Sequence, residues 1–193
     1  MFLFIDTLSV KTCILLFNEK REVAEVSYED FHHKEFDELP EAIDELLGKR
    51  DICYEDLSGI VVLVGPGWFT GTRVTCLVAN SIAFAKKVPL HPLHYFDFLD
   101  LQNTPFPHVI QANKREVMIR TQTQYTVSLR DVVDLDPDDY YGTADAIAFW
   151  RIGATLVSDV DYDLAVQQLD LSDPVQRVDP VYIKDPNIIL RSS

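Results

Sequence analysis

Apolar residues along this chain fall first into short unbroken runs and later into a helical rhythm, and the two patterns divide it into elements. Phe2-Leu3-Phe4-Ile5 and Thr12-Cys13-Ile14-Leu15-Leu16-Phe17 are apolar runs bounded by polar turns, which predicts buried strands. A third strand is predicted over residues 22–28, with Val23 and Val26 among polar neighbours, and the short separations favour an antiparallel meander. Phe36, Leu39, Ile43, Leu46 and Leu47 recur three or four apart, predicting a helix over residues 33–48 that Gly48 terminates. Pro40 lies inside this pattern, so either the helix kinks there or its regular part begins there with the proline in the first turn.

The chain is organised around its next stretch. Val61-Val62-Leu63-Val64 predicts a buried strand, Gly65-Pro66-Gly67 a sharp loop, and Thr70 an N-cap for a helix running to Lys86-Lys87, where cations suit the C-terminal end. Val74, Leu77, Val78, Ser81, Ile82 and Ala85 form one stripe, expected against the sheet. Cys76, Ala79, Asn80, Ala83 and Phe84 make a second face of mostly small residues, so the helix is apolar nearly all round. Such a helix is covered on both sides. The second cover is either a neighbouring helix of the same chain or another polypeptide.

Residues 89–92 read as a short edge strand and 93–101 as a short helix, which completes a mixed sheet covered by helices, an α/β layer architecture. Gln102-Asn103-Thr104-Pro105-Phe106-Pro107 is the expected linker, separating a first lobe, 1–101, from a smaller one, 102–193. Strands are expected over 108–111, 116–123, 125–129 and 154–158, helices over 144–150 and 164–169. The Asp- and Pro-rich tail, including Asp179-Pro180-Val181-Tyr182-Ile183-Lys184, is expected to be an extended arm that folds back.

Composition narrows the function. A net charge of −14 opposes strong binding of nucleic acid by this chain alone. Three scattered cysteines, Cys13, Cys53 and Cys76, suggest neither a disulfide framework nor a zinc site, and fit a reducing cytoplasm. The N-terminal residues show neither a basic leader nor a long apolar segment, so neither secretion nor membrane insertion is indicated.

Candidate chemistry is weak throughout. The glycine loop lacks the Lys-Ser or Lys-Thr of a Walker loop, and Gly65, Gly67 and Gly71 miss the dinucleotide spacing by one residue. It is either a structural connector or an anion site using Arg73. Asp6-Thr7-Leu8-Ser9 resembles the phosphate loops of actin-like and Hsp70-like ATPases, but Leu8 stands where close approach to phosphate needs glycine, so a degenerate loop is expected. His32-His33 and His91-Pro92-Leu93-His94 do not have the spacing that presents two imidazoles to one metal, and no residue is singled out as a nucleophile.

Phe4-Ile5-Asp6-Thr7, Ile43-Asp44-Glu45-Leu46-Leu47, and above all Gly65-Pro66-Gly67-Trp68-Phe69-Thr70-Gly71-Thr72-Arg73 resemble the TsaB family, also called YeaZ; Ala112-Asn113-Lys114-Arg115 and Pro180-Val181-Tyr182-Ile183-Lys184 are similar to its later landmarks. The resemblance implies a two-lobed actin-like, ribonuclease H-like α/β fold and a non-catalytic partner of TsaD in synthesis of threonylcarbamoyladenosine on tRNA. It implies no cofactor, and dimerisation with a TsaD-like subunit or with a second copy through first-lobe helices. The expected interface combines Phe36, Leu39, Ile43 and Leu46 with Thr72, Cys76, Ala79, Asn80, Ala83 and Phe84. The chain departs from the family at Trp68, at Gln111 and in a shortened second lobe, so contacts the family makes through that lobe, including any with a TsaE-like ATPase, transfer least. The alternative is an ATPase or small-molecule kinase of the actin-like superfamily, built on Asp6, Thr7, Gly65, Gly67 and Arg73.

Overall fold

The computed structural model describes residues 1–9, 11–29, 38–67, 69–103, 107–111, 116–121, 125–129, 141–142, 155–156 and 160–182. Five strands make the first sheet: β1 (Phe2–Asp6), β2 (Thr12–Phe17), β3 (Val23–Glu29), β4 (Gly59–Gly65) and β5 (Leu90–His94), in the spatial order β3-β2-β1-β4-β5. The unbroken apolar runs occupy its centre. β1 pairs antiparallel with β2, from Phe2 opposite Phe17 to Asp6 opposite Cys13, and parallel with β4. β3 and β5 form the edges.

Strand alternation assigns each apolar side chain to one of two cores. Leu3, Ile5, Ile14, Leu16, Ile60, Val62 and Val64 pack with helices α1 (Leu39–Gly48) and α2 (Phe69–Lys86). Phe4, Cys13, Leu15, Phe17, Val61 and Leu63 face the opposite way, against α3 (Tyr95–Asp100) and α4 (Tyr162–Gln168). The sheet is therefore sandwiched between helical layers, and each fully buried large aliphatic or aromatic side chain contributes about 1.5–3 kcal/mol relative to exposure.

α1 begins at Leu39 rather than at residue 33, with Pro40 in its first turn; His33 and Phe36 lie outside the described residues. Proline has no N–H to lose at that place, so it starts the helix instead of kinking it. α2 begins at Phe69, which places Thr70 within the helix and not at its N-cap. Residues 54–56 form one 3-10 turn between α1 and β4.

Beyond Pro107, β6 (His108–Gln111), β7 (Glu116–Arg120), β8 (Tyr125–Leu129), β9 (Tyr141–Gly142) and β10 (Thr155–Leu156) form a second sheet in the order β10-β9-β6-β7-β8. The expected helix over 144–150 and the landmark Ala112-Asn113-Lys114-Arg115 fall outside the described residues, as do Trp68, Ile183 and Lys184. Arg120 of β7 reaches back to α3, donating to Asp97 Oδ1 at 2.9 Å and meeting Asp100 Oδ2 at 2.6 Å. The final described stretch also returns to the first sheet. Val175 and Leu90 exchange backbone hydrogen bonds at the start of the β5 edge, and Val181 N–H donates to Val64 O at 2.7 Å near the end of β4, so the arm is tied to the sheet at two points.

Candidate functional site

Two features identified in the sequence meet at the end of β1. Asp6 is fully buried, and its carboxylate has four donors: Oδ1 accepts from the N–H groups of Leu8 at 2.8 Å and Ser9 at 3.0 Å, while Oδ2 accepts from Ser9 Oγ at 2.5 Å and Tyr162 Oη at 2.8 Å. Tyr162 comes from α4 and packs edge-on against Phe4. Burial raises the Asp6 carboxyl above its ordinary value, and the hydrogen bonds from Ser9, Leu8 and Tyr162 oppose that rise. Burial also raises the Tyr162 hydroxyl, with the neighbouring Asp6 adding to the effect.

Thr7 is buried beside it, its hydroxyl 2.6 Å from that of Thr75 on α2. Since Thr75 donates its one proton to Gly71 O at 2.9 Å, Thr7 is the donor between the two. This ties the β1 turn to the first turns of α2.

The glycine loop lies opposite. A Cβ on Gly67 would come within 2.8 Å of Leu8 Cδ2, so the Leu8 side chain rests directly on that glycine and fills the space where a phosphate would approach. Gly65 has φ +103°, and a Cβ there would meet Val181 O at 2.9 Å. Its glycine is therefore demanded twice, by the left-handed backbone and by the arm crossing it. Asp6, Thr7, Gly65 and Gly67 do converge, but Leu8, Tyr162 and the arm occupy the ground between and around them. Arg73 is not with them: it is exposed and lines a separate cleft between α2 and the arm.

Most of the residues expected at the partner surface are buried within this chain. Leu39, Ile43 and Leu46 have no exposed surface, because they are the apolar side of a helix whose Glu41, Asp44 and Glu45 take the solvent side. Thr72, Cys76, Ala79 and Ala83 are likewise buried, facing the chain's own sheet. Asn80 is half-buried, its side chain donating to Val178 O at 2.8 Å and accepting from Val178 N–H at 2.9 Å. Of the ten residues expected at the interface, Phe36 is not described and Phe84, at 88% exposed, is the one that stands in solvent.

The stripe expected against the sheet is split: Leu77, 66% exposed, and the exposed Ser81 and Ala85 turn outward, Val74 is half-buried, and Val78 and Ile82 pack half-buried against the core. The reason is steric. Small side chains on the inner face let the helix backbone settle close on the strands, whereas a face carrying Leu77 and Phe84 would hold it away. Leu77 and Phe84 thus form an apolar outer line at i, i+7 spacing, one side chain above the other.

Sequence reasoning missed Tyr162, Asn80 and Thr75 as structural contacts. The first two act across 156 and 98 residues of chain, where no local pattern can signal a pairing. Among the described residues no cluster of three or more His, Cys, Asp or Glu side chains could hold a metal ion, and no helix is long and apolar enough to cross a membrane.

Comparison with known proteins agrees with this architecture. The family model described as "TsaD: tRNA N6-adenosine threonylcarbamoyltransferase" matches residues 29–155, more than half of the chain. The tRNA threonylcarbamoyladenosine biosynthesis protein TsaB of Bacillus subtilis is 31% identical over 109 residues, covering 56% of this chain and 47% of that protein. The tRNA N6-adenosine threonylcarbamoyltransferase of Staphylococcus aureus (strain Newman) is 36% identical over 64 residues, covering 33% of this chain and 18% of that enzyme. The aligned stretches thus span about half the length of one of these relatives and less than a fifth of the other.

Among solved structures, a Pseudomonas aeruginosa protein with similarity to peptidase YEAZ superimposes with a TM-score of 0.72 at 20% identity, covering 95% of this chain and 99% of its own. YeaZ from Pseudomonas aeruginosa gives a TM-score of 0.64 at 20% identity, covering 86% and 89%. These two share the fold, an α/β architecture with a mixed sheet flanked by helices, as the sequence resemblance implied. The chain belongs to the family whose model is described as TsaD: tRNA N6-adenosine threonylcarbamoyltransferase, and it is similar within it to the TsaB protein of Bacillus subtilis.

Proposed function

We propose that this chain is a non-catalytic scaffold subunit in tRNA threonylcarbamoyladenosine synthesis, binding a TsaD-like enzyme through the outer face of α2. The observation that carries the reading is the closed Asp6 pocket. A carboxylate that already accepts four hydrogen bonds, with Tyr162 and Leu8 filling its approaches, has no lone pair directed at a hydrated magnesium and no room for a phosphate beside it. The alternative ATPase or kinase reading needs that space. What the chain does offer is an apolar line, Leu77 and Phe84, on the solvent side of its longest described helix.

The partner surface is therefore shifted by half a turn from the one the sequence suggested. Phe84 stays within it, Leu77 replaces the buried small residues, and α1 contributes its acidic side rather than Leu39, Ile43 and Leu46. A second copy is the occupant of the same face when the TsaD-like subunit is absent, and a TsaE-like ATPase would join through the enzyme. The chain works in the cytoplasm, where its tRNA pathway operates, without a cofactor of its own.

The test is direct titration of the purified TsaD-like subunit of the same cell with wild-type chain and with Phe84→Ser and Leu77→Ser. Each variant should retain the wild-type melting temperature and lose at least tenfold in affinity, since apolar anchors dominate interface energetics. Unchanged affinity in both would overturn the reading. Heat released on adding magnesium-ATP to the isolated chain, abolished by Asp6→Ala, would restore the ATPase alternative.

A further inference from the structure

Between α4 and the arm the chain passes from one face of the first sheet to the other. Leu169 and Leu171 pack with the core of α3 and α4, whereas Val175 and Val178 pack with that of α1 and α2. The crossing goes round the edge of β5, where Val175 N–H donates to Leu90 O at 2.7 Å and Leu90 N–H donates to Val175 O at 3.0 Å. The next residue of β5 is His91, 7% exposed. Its ring meets Phe2 edge-on at a centroid distance of 6.1 Å, and a Cβ on Gly59 of β4 would come within 2.8 Å of its Nε2, so the imidazole rests against that glycine. Of the charged groups at this corner, Arg21 is the one whose field reaches the imidazole. Arg21 takes a left-handed φ of 66° in the β2–β3 turn and sets its guanidinium carbon 5.9 Å over the Phe17 ring, which stacks on Phe2 at 5.1 Å. Its Nη1 is buried without a hydrogen-bond partner among the described residues. The Met1 amine is engaged with Asp56 O and Ser58 Oγ, and Asp170 of the crossing has its carboxyl held low chiefly by Ser172, with the Arg21 charge adding to that.

We propose that His91 is an acid-sensitive latch for the arm: when its imidazole takes a second proton, residues 169–175 part from the β5 edge and the arm is released while the central strands stay folded. The corner has no place for that charge. The ring is packed between an aromatic edge and a glycine backbone, and the charge that reaches it is a guanidinium of the same sign. Burial first, and the Arg21 charge second, accordingly hold His91 below its ordinary 6.5. The penalty falls on the closed arm and not on the open one, where the ring is hydrated. Closure is therefore at full strength above the ordinary value and weakens as pH drops from 6.5 towards the folded-state value. Two backbone bonds at Leu90 hold the arm at this corner, and segments held by so few contacts open at lower free energy than the sheet they rest on. Val178, Pro180 and Tyr182 of the arm border α2 beside Leu77, so release remodels the surface there. The latch does not depend on the scaffold reading.

The experiment is native-state amide exchange on the full chain, wild type and His91→Gln, with rates corrected for the intrinsic effect of pH. From about pH 7.5 to about pH 5.5 the wild-type protection of Leu90, Val175 and Val181 should fall by about fivefold or more relative to Ile5, Ile14 and Val62. In His91→Gln, which carries no titrating ring, the same amides should keep their relative protection within about twofold over that range. Wild-type amides of the arm that follow Ile14 at both pH values would overturn the latch, as would an equal acid-dependent loss in His91→Gln, since another group would then be titrating. Should the glutamine variant fail to fold, wild type alone decides: the imidazole proton shifts of His91 and the loss of protection at Val175 must share one midpoint, below 6.5, and two separate midpoints would sink the proposal.

Discussion

The hydroxyl of Tyr162 donates to Asp6 Oδ2 at 2.8 Å, joining a helix near the end of the described chain to the last residue of its first strand. The contact sits inside the second core, where the Tyr162 ring also meets Phe4 and Phe98 at centroid distances of 5.9 Å. Deleting only the hydroxyl leaves the ring packing in place. Tyr162→Phe should therefore lower unfolding stability by about 1–3 kcal/mol, the cost of withdrawing a donor from a buried charged acceptor, as read by urea denaturation. Stability equal to wild type would show that Ser9 and the turn amides satisfy the carboxylate by themselves.

The same carboxylate gives the protein a pH signature opposite to that of a surface acid. Its folded-state value lies above the ordinary 3.8, with burial as the chief cause. Between the unfolded and folded values the native state holds the proton more firmly than the unfolded chain does. The stability that protonation lends is fully present below the unfolded value and is lost as pH rises through the folded one. The difference in unfolding free energy between wild type and Asp6→Asn should accordingly move against wild type as pH climbs from about 4, with a slope of at most about 1.4 kcal/mol per pH unit. A difference that is flat with pH would mean that the four hydrogen bonds cancel the desolvation.

How much of this was legible depends on whether the pattern was local. β1 and β2 follow directly from their unbroken apolar runs, because only a strand at the centre of a covered sheet needs both faces apolar. The orientation of α2 was not legible. With Cys76, Ala79 and Ala83 on one side and Val74, Leu77 and Ile82 on another, polarity does not distinguish the faces, and side-chain size decides which lies against the strands. The closed state of the Asp6 turn was half legible: Leu8 in place of a glycine announced it, while Tyr162, far along the chain, could not.

Steric control of α2 makes its two faces respond oppositely to substitution. Ala79 has no exposed surface and packs in the same core as Leu3, Ile43 and Val62. Enlarging it to Leu forces strands and helix apart and should cost about 1–3 kcal/mol, whereas Phe84→Ser, at a position 88% exposed, should change stability by no more than about 0.5 kcal/mol. Thermal melts of the two variants give the comparison. A larger loss in Phe84→Ser than in Ala79→Leu would reverse the assignment of inner and outer faces.

Asn80 converts the arm from a loose strand into a fixed part of the core. Its amide both donates to Val178 O and accepts from Val178 N–H, reproducing with one side chain the paired bonds a neighbouring strand would make. That pairing holds Val178 against the α2 side of the sheet at 3% exposure. Beyond it the arm continues to Val181, whose N–H bonds to Val64 beside the left-handed Gly65. Asn80→Ala leaves two buried backbone groups without partners, which should cost about 1–3 kcal/mol. The loss should be local first: amide exchange should quicken at Val178 and Val181 while Ile5, Ile14 and Val62 in the central strands keep their protection, because arm and sheet then open with different free energies. Uniform acceleration across arm and sheet would instead mean that the clamp is part of the global folding unit, and that α2 cannot keep its place against β4 without it.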